Sequence, residues 1–219
     1  MRIDAHHSYS ERYPLEHLRI ILARNKFEGS IAVVSHPLPM WHVLRTDLTK
    51  PYLLDEHLRG LCYKLADDLP PGLDDLARRR IPLDLDLGPQ QLSLIPRIAG
   101  LHPDLMIALD HLARPPIHGP MDEWARDLER AAQYPNVYAK LSGITTPDFR
   151  PAVQHALAVF GPRRLMFGSD WPGHLPDVTW KATLAAFTQS IGAQPIEVRE
   201  ELLGGTAERF YQLPPRSAA

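Results

Sequence analysis

Residues 105–111 read LMIALDH, residues 121–133 read MDEWARDLERAAQ and residues 137–142 read VYAKLS. The first and last are short apolar runs ending in polar residues, and a helix-like stretch joins them. Near-continuous apolar character suits a strand covered on both faces, which is the mark of a parallel sheet. The same unit recurs in both directions along the chain. Residues 1–6, 29–36 (GSIAVVSH), 58–65 (LRGLCYKL), 81–87 (IPLDLDL) and 165–170 (LMFGSD) read as further strands. Helical stretches fall at 14–26, 74–80, 91–99, 150–160, 178–191 and 196–210. In the first of these, the apolar residues Leu15, Leu18, Ile21 and Leu22 share one face.

Alternation of strand and helix along a whole chain predicts an α/β protein with crossover-linked parallel strands. Seven strands are visible, and residues 51–55 (PYLLD) offer a weak eighth. The expected fold is a compact, distorted (β/α)8 TIM-like barrel with one β/α unit reduced around PYLLD. Such barrels run from about 200 residues upward, so 219 residues is near the minimum. A doubly wound open sheet is the alternative, but no Gly-rich phosphate loop follows any strand. With no linker or repeat in view, residues 1–213 are expected to form one domain and 214–219 a disordered tail.

Composition narrows the function. A formal net charge of -2 gives no reason to expect nucleic acid as a partner. No apolar run approaches the roughly 20 residues of a membrane span, and MRIDAHH at the start is not a secretory signal. Cys62 is the sole cysteine, which excludes an internal disulfide and suits a reducing compartment. The expectation is therefore a cytoplasmic protein acting on a small molecule, with a homo-oligomer as an option where the shortened unit leaves an edge.

In a parallel barrel, catalytic groups sit at the C-terminal ends of strands. Those ends here collect Asp4, His6 and His7; Ser35 and His36; Cys62 and Lys64; Asp84 and Asp86; Asp110 and His111; Lys140 and Ser142; and Asp170. Such a set points to an enzyme, although Asp84, Asp86 and Ser142 suit helix N-caps equally well. Histidine with carboxylate serves either a divalent metal or direct acid-base work. Lys140 lies in an otherwise apolar strand, where its charge needs a carboxylate nearby, Asp170 being one option. Cys62 reads as small-residue packing rather than a nucleophile.

Several stretches together resemble the amidohydrolase-related family that includes sugar-lactone and pyrone-dicarboxylate lactonases. They are IDAH (3–6), ALDHLARPP (108–116), NVYAKLSG (136–143), RLMFGSDWP (164–172) and GTAERFY (205–211). They occur in the family's order and cover the chain well from Ile81 onward. The resemblance implies a distorted (β/α)8 barrel and hydrolysis of a C–O or C–N bond. It implies Asp170 as the base that activates water and as a metal ligand, His111 as the histidine of the sixth strand, and His6 as the first histidine of a first-strand pair. The expected catalytic set is Asp170, His111 and Lys140. The expected metal set is His6, His111 and Asp170 around a divalent metal, zinc by preference, with a metal-free version left open.

The sequence departs from the pattern at two places. The second position of the first-strand pair is Ser8, so either His7 turning inward or His36 on the next strand would have to complete the site. Cys62 stands where relatives carry an arginine, and Lys64 is the expected replacement for its charge. Further substrate-contacting candidates are Arg114, His36, Trp171 and His174. His118 lies in the loop with Arg114, and Trp41 and His42 read as lid residues. The leading expectation is a hydrolase of a lactone, ester or related small carbonyl compound. A metal-dependent non-oxidative decarboxylase and a degenerate barrel that binds without turnover are the alternatives.

Overall fold

The computed structural model describes residues 1–49, 52 and 54–214. Its strands are β1 (Ile3–Ser8), β2 (Gly29–Val34), β3 (His42–Arg45), β4 (Leu58–Lys64), β5 (Leu83–Asp86), β6 (Ile107–Leu109), β7 (Val137–Leu141) and β8 (Leu165–Phe167). All pair in parallel with their sequence neighbours, in the order β1 to β8. The ring is joined beyond β8 by two backbone bonds to β1. Asp170 N–H donates to His6 C=O at 2.8 Å, and Ser8 N–H donates to Trp171 C=O at 2.7 Å. This is the expected TIM-like (β/α)8 barrel.

The helices are α1 (Leu15–Arg24), α2 (Leu73–Arg79), α3 (Ile95–Leu101), α4 (Asp122–Ala132), α5 (Arg150–Phe160), α6 (Trp180–Ile191), α7 (Ile196–Glu200) and α8 (Thr206–Phe210). The reduction of the barrel lies where the sequence is short, between β2 and β4, but the eighth strand is not PYLLD. It is His42–Arg45, whereas Tyr52, Leu54 and Asp55 are not in a strand and residues 51 and 53 lie outside the described residues. No helix follows β2 or β3 among the described residues. The expected helix 196–210 is broken by a π-turn at Glu201–Gly205. Of the expected tail, residues 215–219 lie outside the described residues. Among the described residues, no helix is long and apolar enough to cross a membrane.

Two apolar clusters organise the core, and strand alternation sorts residues between them. Leu83, Leu85, Ile107, Leu109, Val137, Ala139, Leu141, Leu165 and Phe167 face the helices and pack on Ile95, Ile98, Trp124, Leu128, Val153 and Phe187. Each fully buried side chain of this size contributes roughly 1.5–3 kcal/mol. Ile3, Ala5, Ile31, Val33, Val43, Cys62, Ala108 and Met166 face the barrel interior, where Ala207, Phe210 and Tyr211 close the bottom. The residues of β5 to β8 that alternate with the helix-facing set therefore point inward. They carry Asp84, Lys140 and, past the end of β6, Asp110 into the barrel interior, and Ser142 and Asp170, past the ends of β7 and β8, to the mouth.

Candidate active site

A register shift between Asp4 and His7 breaks the alternation of β1, as a bulge does. Ala5 belongs to the inner cluster, and the next residue, His6, also reaches inward to Lys140 and Asp110. Asp4 faces out instead. Its Oδ1 accepts from Ser169 N–H at 2.8 Å and its Oδ2 from the Trp180 indole N–H at 2.8 Å. That pair of bonds ties the segment before Asp170 to α6. Gly168 makes the approach possible, because a Cβ there would lie 2.6 Å from His6 Cβ and 2.9 Å from Ser142 Cβ.

His111 opens four consecutive residues in the left-handed region, with φ of 54°, 51°, 54° and 52° through Arg114. None is glycine, and each such residue costs about 1–2 kcal/mol. Several bonds hold the turn. His111 N–H donates to Ser142 Oγ at 3.3 Å, the Trp124 indole N–H to Leu112 C=O at 2.9 Å, and Arg114 Nη1 to Leu87 C=O at 2.7 Å. Ser142 Oγ also meets His111 Nδ1 at 2.9 Å, which leaves Nε2 as the free ring nitrogen. Asp170 too is left-handed, at φ 55°. Strained non-glycine backbone of this kind concentrates at functional sites.

The turn and the closing seam bring His6, His111 and Asp170 together. Each offers a donor atom, and the three atoms lie within 4.8 Å of one another. His6 and His111 stack edge to face at 4.6 Å, and His6 Nε2 is 3.7 Å from Asp170 Oδ1. His6 Nε2 is buried with no hydrogen-bond partner among the described residues. Two imidazoles and a carboxylate form a donor set suited to zinc, so these residues fit a divalent cation. Asp170 and His111 line a pocket of about 260 Å³ with Arg114, Pro115, Ser142, Gly143, Phe149 and His174.

Charge in the site follows from burial and neighbours. Burial pulls the His111 pKa down to about 4, and His6 adds to the shift; the ring is neutral at pH 7. Burial works to raise the Asp170 carboxyl, but the bond from His174 and the nearby His6 and His111 outweigh it and hold it below the usual range. His174 Nε2 lies 3.1 Å from Asp170 Oδ2, and that bond raises its own pKa against the effect of burial. Asp170 is thus an ionised carboxylate at neutral pH.

Not every expected residue joins this group. His7 is buried and turned away, with Nδ1 on its neighbour's carbonyl, Ser8 C=O, at 3.0 Å. His36 is exposed and packs edge-on against Tyr9. Neither completes the set of three. Lys64 ends β4 exposed, in register with Asp86. Arg114 does line the pocket, with its guanidinium paired to Asp86, which Arg45 also approaches at 3.5 Å. His118 is exposed. Trp171 turns outward against Tyr13 at 5.8 Å and lines a different cavity with Leu175 and Trp180. Trp41 and His42 are no lid: His42 begins β3, and Trp41 lines a cavity of about 470 Å³ between α1 and the start of β2.

Lys140 does not reach the mouth or Asp170. It is fully buried between Asp84 and Asp110, 2.8 Å from Asp110 Oδ1. Tyr211 O–H donates to Asp84 from below. Burial works to lower the lysine's pKa, but the two carboxylates raise it well above normal. Burial lifts Asp84 to about 6, opposed by Lys140. Asp84 is therefore an inward partner of Lys140 and no helix cap. In IPLDLDL, Asp84 and Asp86 alternate with leucines and so can share a face, a signal the strand-end reading did not use.

A model of the amidohydrolase family matches residues 50–213. An L-fucono-1,5-lactonase from Burkholderia ambifaria is 32% identical over 178 residues, which cover 71% of this chain and 61% of that one. The chain spans 50 to 64% of the length of the curated relatives it matches. Among solved structures, an amidohydrolase from Burkholderia multivorans with bound Zn superposes with a TM-score of 0.83 at 25% identity, covering 98% of this chain and all of that one. A protein described as a 2-pyrone-4,6-dicarboxylic acid hydrolase from Pseudomonas putida gives 0.77 at 19% identity over 99% of both chains, a likeness of fold. Three quarters of the sequence and the whole barrel thus lead to one conclusion: the chain belongs to the amidohydrolase family.

Proposed function

We propose that the chain hydrolyses a lactone, ester or related small carbonyl compound in the pocket over Asp170. The observation that carries this reading is the convergence of His6, His111 and Asp170, with donor atoms within 4.8 Å, where a 260 Å³ pocket opens at the barrel mouth. The name of the Burkholderia ambifaria relative, an L-fucono-1,5-lactonase, supports a lactone as substrate class. The Zn in the Burkholderia multivorans structure supports a divalent cation.

Asp170 takes the proton from the attacking water. Its carboxyl is ionised at neutral pH, with His174 Nε2 3.1 Å from Oδ2 and His6 Nε2 3.7 Å from Oδ1. His6 and His111, with Asp170, would hold the cation; when bound, it would polarise the carbonyl and lower the pKa of water. His111 stays neutral over the working range and keeps its free nitrogen available. Arg114 lines the wall, where its clasp by Asp86 and Leu87 C=O fixes it as a donor to substrate oxygen.

The test is to offer the purified protein a panel of sugar-acid lactones and follow proton release, with product analysis. Ring-opened acid supports the proposal. Carbon dioxide from an aromatic or unsaturated acid would favour decarboxylation, and ligand binding without product would favour the binding-only barrel.

A further inference from the structure

Beneath His6 the barrel encloses Asp84, Asp110, Lys140 and Tyr211, all buried. The Lys140 ammonium sits between the two carboxylates, and Tyr211 O–H donates to both Asp84 oxygens at 2.9 and 3.0 Å. A buried ion group adds little cohesion over apolar residues of the same volume. Its use has to be sought in what it touches.

Its upper edge meets one group of the site. His6 Nδ1 is 3.5 Å from Asp110 Oδ1 and 3.3 Å from Lys140 Nζ, while the other nitrogen, Nε2, has no hydrogen-bond partner. A neutral imidazole carries one ring proton. On Nε2 it would be a buried donor without a hydrogen-bond partner among the described residues, 3.7 Å from Asp170 Oδ1, at a cost of about 1–3 kcal/mol. That tautomer also leaves no lone pair for a cation. With the proton on Nδ1 it faces Asp110 Oδ1, a buried carboxylate oxygen 3.5 Å away without a hydrogen-bond partner among the described residues, in a charge-assisted arrangement that competes with Lys140 Nζ at 3.3 Å, and the Nε2 lone pair is left free on the side of Asp170. Lys140 then serves to hold Asp110 Oδ1 beside the ring.

We propose that Asp110, held by Lys140, is a positioning residue that keeps the His6 ring proton on Nδ1 and aims the Nε2 lone pair at a divalent cation shared with His111 and Asp170. The inference rests on the cation reading above. A carboxylate behind a metal-binding imidazole fixes its tautomer and orientation.

Two readouts test it. The ring-nitrogen NMR signals of His6 in metal-free, 15N-labelled protein report the tautomer. Competition with a chromophoric chelator gives the zinc dissociation constant of the wild type and of Asp110→Leu, which keeps a balanced Lys140–Asp84 pair. The expected result is a protonated Nδ1 in the wild type and a zinc constant about 10–100-fold weaker in the variant. A proton on Nε2 in the wild type, with Lys140 donating into Nδ1, overturns the proposal, as does an unchanged zinc constant in a folded Asp110→Leu. Should that variant fail to fold, the wild-type spectrum decides. A wild type with protonated Nδ1 that binds no zinc supports the Asp110–His6 bond and overturns the cation reading alone.

Discussion

The backbone N–H of Asp170 donates to the carbonyl of His6 at 2.8 Å, so the bond that closes the barrel also sets the spacing of two site residues. The site is therefore built into the seam of the fold, and changes that loosen the seam reach the pocket directly.

Gly168 tests that coupling. An added methyl would come within 2.6 Å of His6 Cβ and 2.9 Å of Ser142 Cβ, neither at the end of a flexible side chain. Gly168→Ala is expected to lower stability by roughly 1–3 kcal/mol in urea unfolding. It should also reduce turnover, because His6 and Ser142 must both shift. A variant with wild-type stability and rate would show that the seam is not tight.

His36 and His111 separate the members of the set from the bystanders. His36→Ala should leave zinc affinity and turnover within about twofold, since that ring is exposed on Tyr9 and surface changes have small effects. His111→Ala should lose zinc binding in the same titration. A large loss in His36→Ala would bring the second strand back into the site.

The pH dependence of stability includes opposed contributions from His111 and Asp84. His111, at about 4 in the fold against 6.5 unfolded, contributes stability that is complete above pH 6.5 and is lost as pH falls toward 4. Asp84, at about 6 against 3.8, contributes stability that is present below 3.8 and is lost as pH rises through 6. Between pH 4 and 6 these two contributions oppose each other. In His111→Asn the rising contribution of His111 is removed, so between pH 4.5 and 6 the variant should lose stability relative to the wild type, by at most about 1.4 kcal/mol per pH unit. Midpoints of both proteins at pH 4.5 and 6 check the sign; a variant that gains on the wild type as pH rises would contradict it.

How much of this was legible in the sequence depended on the length and burial of each element. From Ile81 onward the strands are short apolar runs between helices with clear faces, and helix 150–160 coincides with α5. His6, His111 and Asp170 were brought together by the family resemblance, and they lie within β1 and just past the ends of β6 and β8. β3 was missed because HVLR is four residues long and follows a Pro-rich stretch that reads as a loop. The left-handed turn at His111 carries no glycine to announce it; it is imposed by bonds from Ser142, Trp124 and Arg114. Lys140 was visible as an anomaly in an apolar strand, but its partners come from β5 and the end of β6, and pairing across strands is set by register.

The central claim is that Asp170 drives ring opening of a carbonyl substrate in this pocket. It is tested most directly by comparing wild type and Asp170→Asn on a sugar-acid lactone that the wild type turns over, following proton release. The substitution keeps the backbone N–H that closes the barrel, so the variant should fold. The expected result is a loss of at least about 100-fold in kcat with an unchanged unfolding midpoint. A folded Asp170→Asn protein with wild-type turnover would contradict the account.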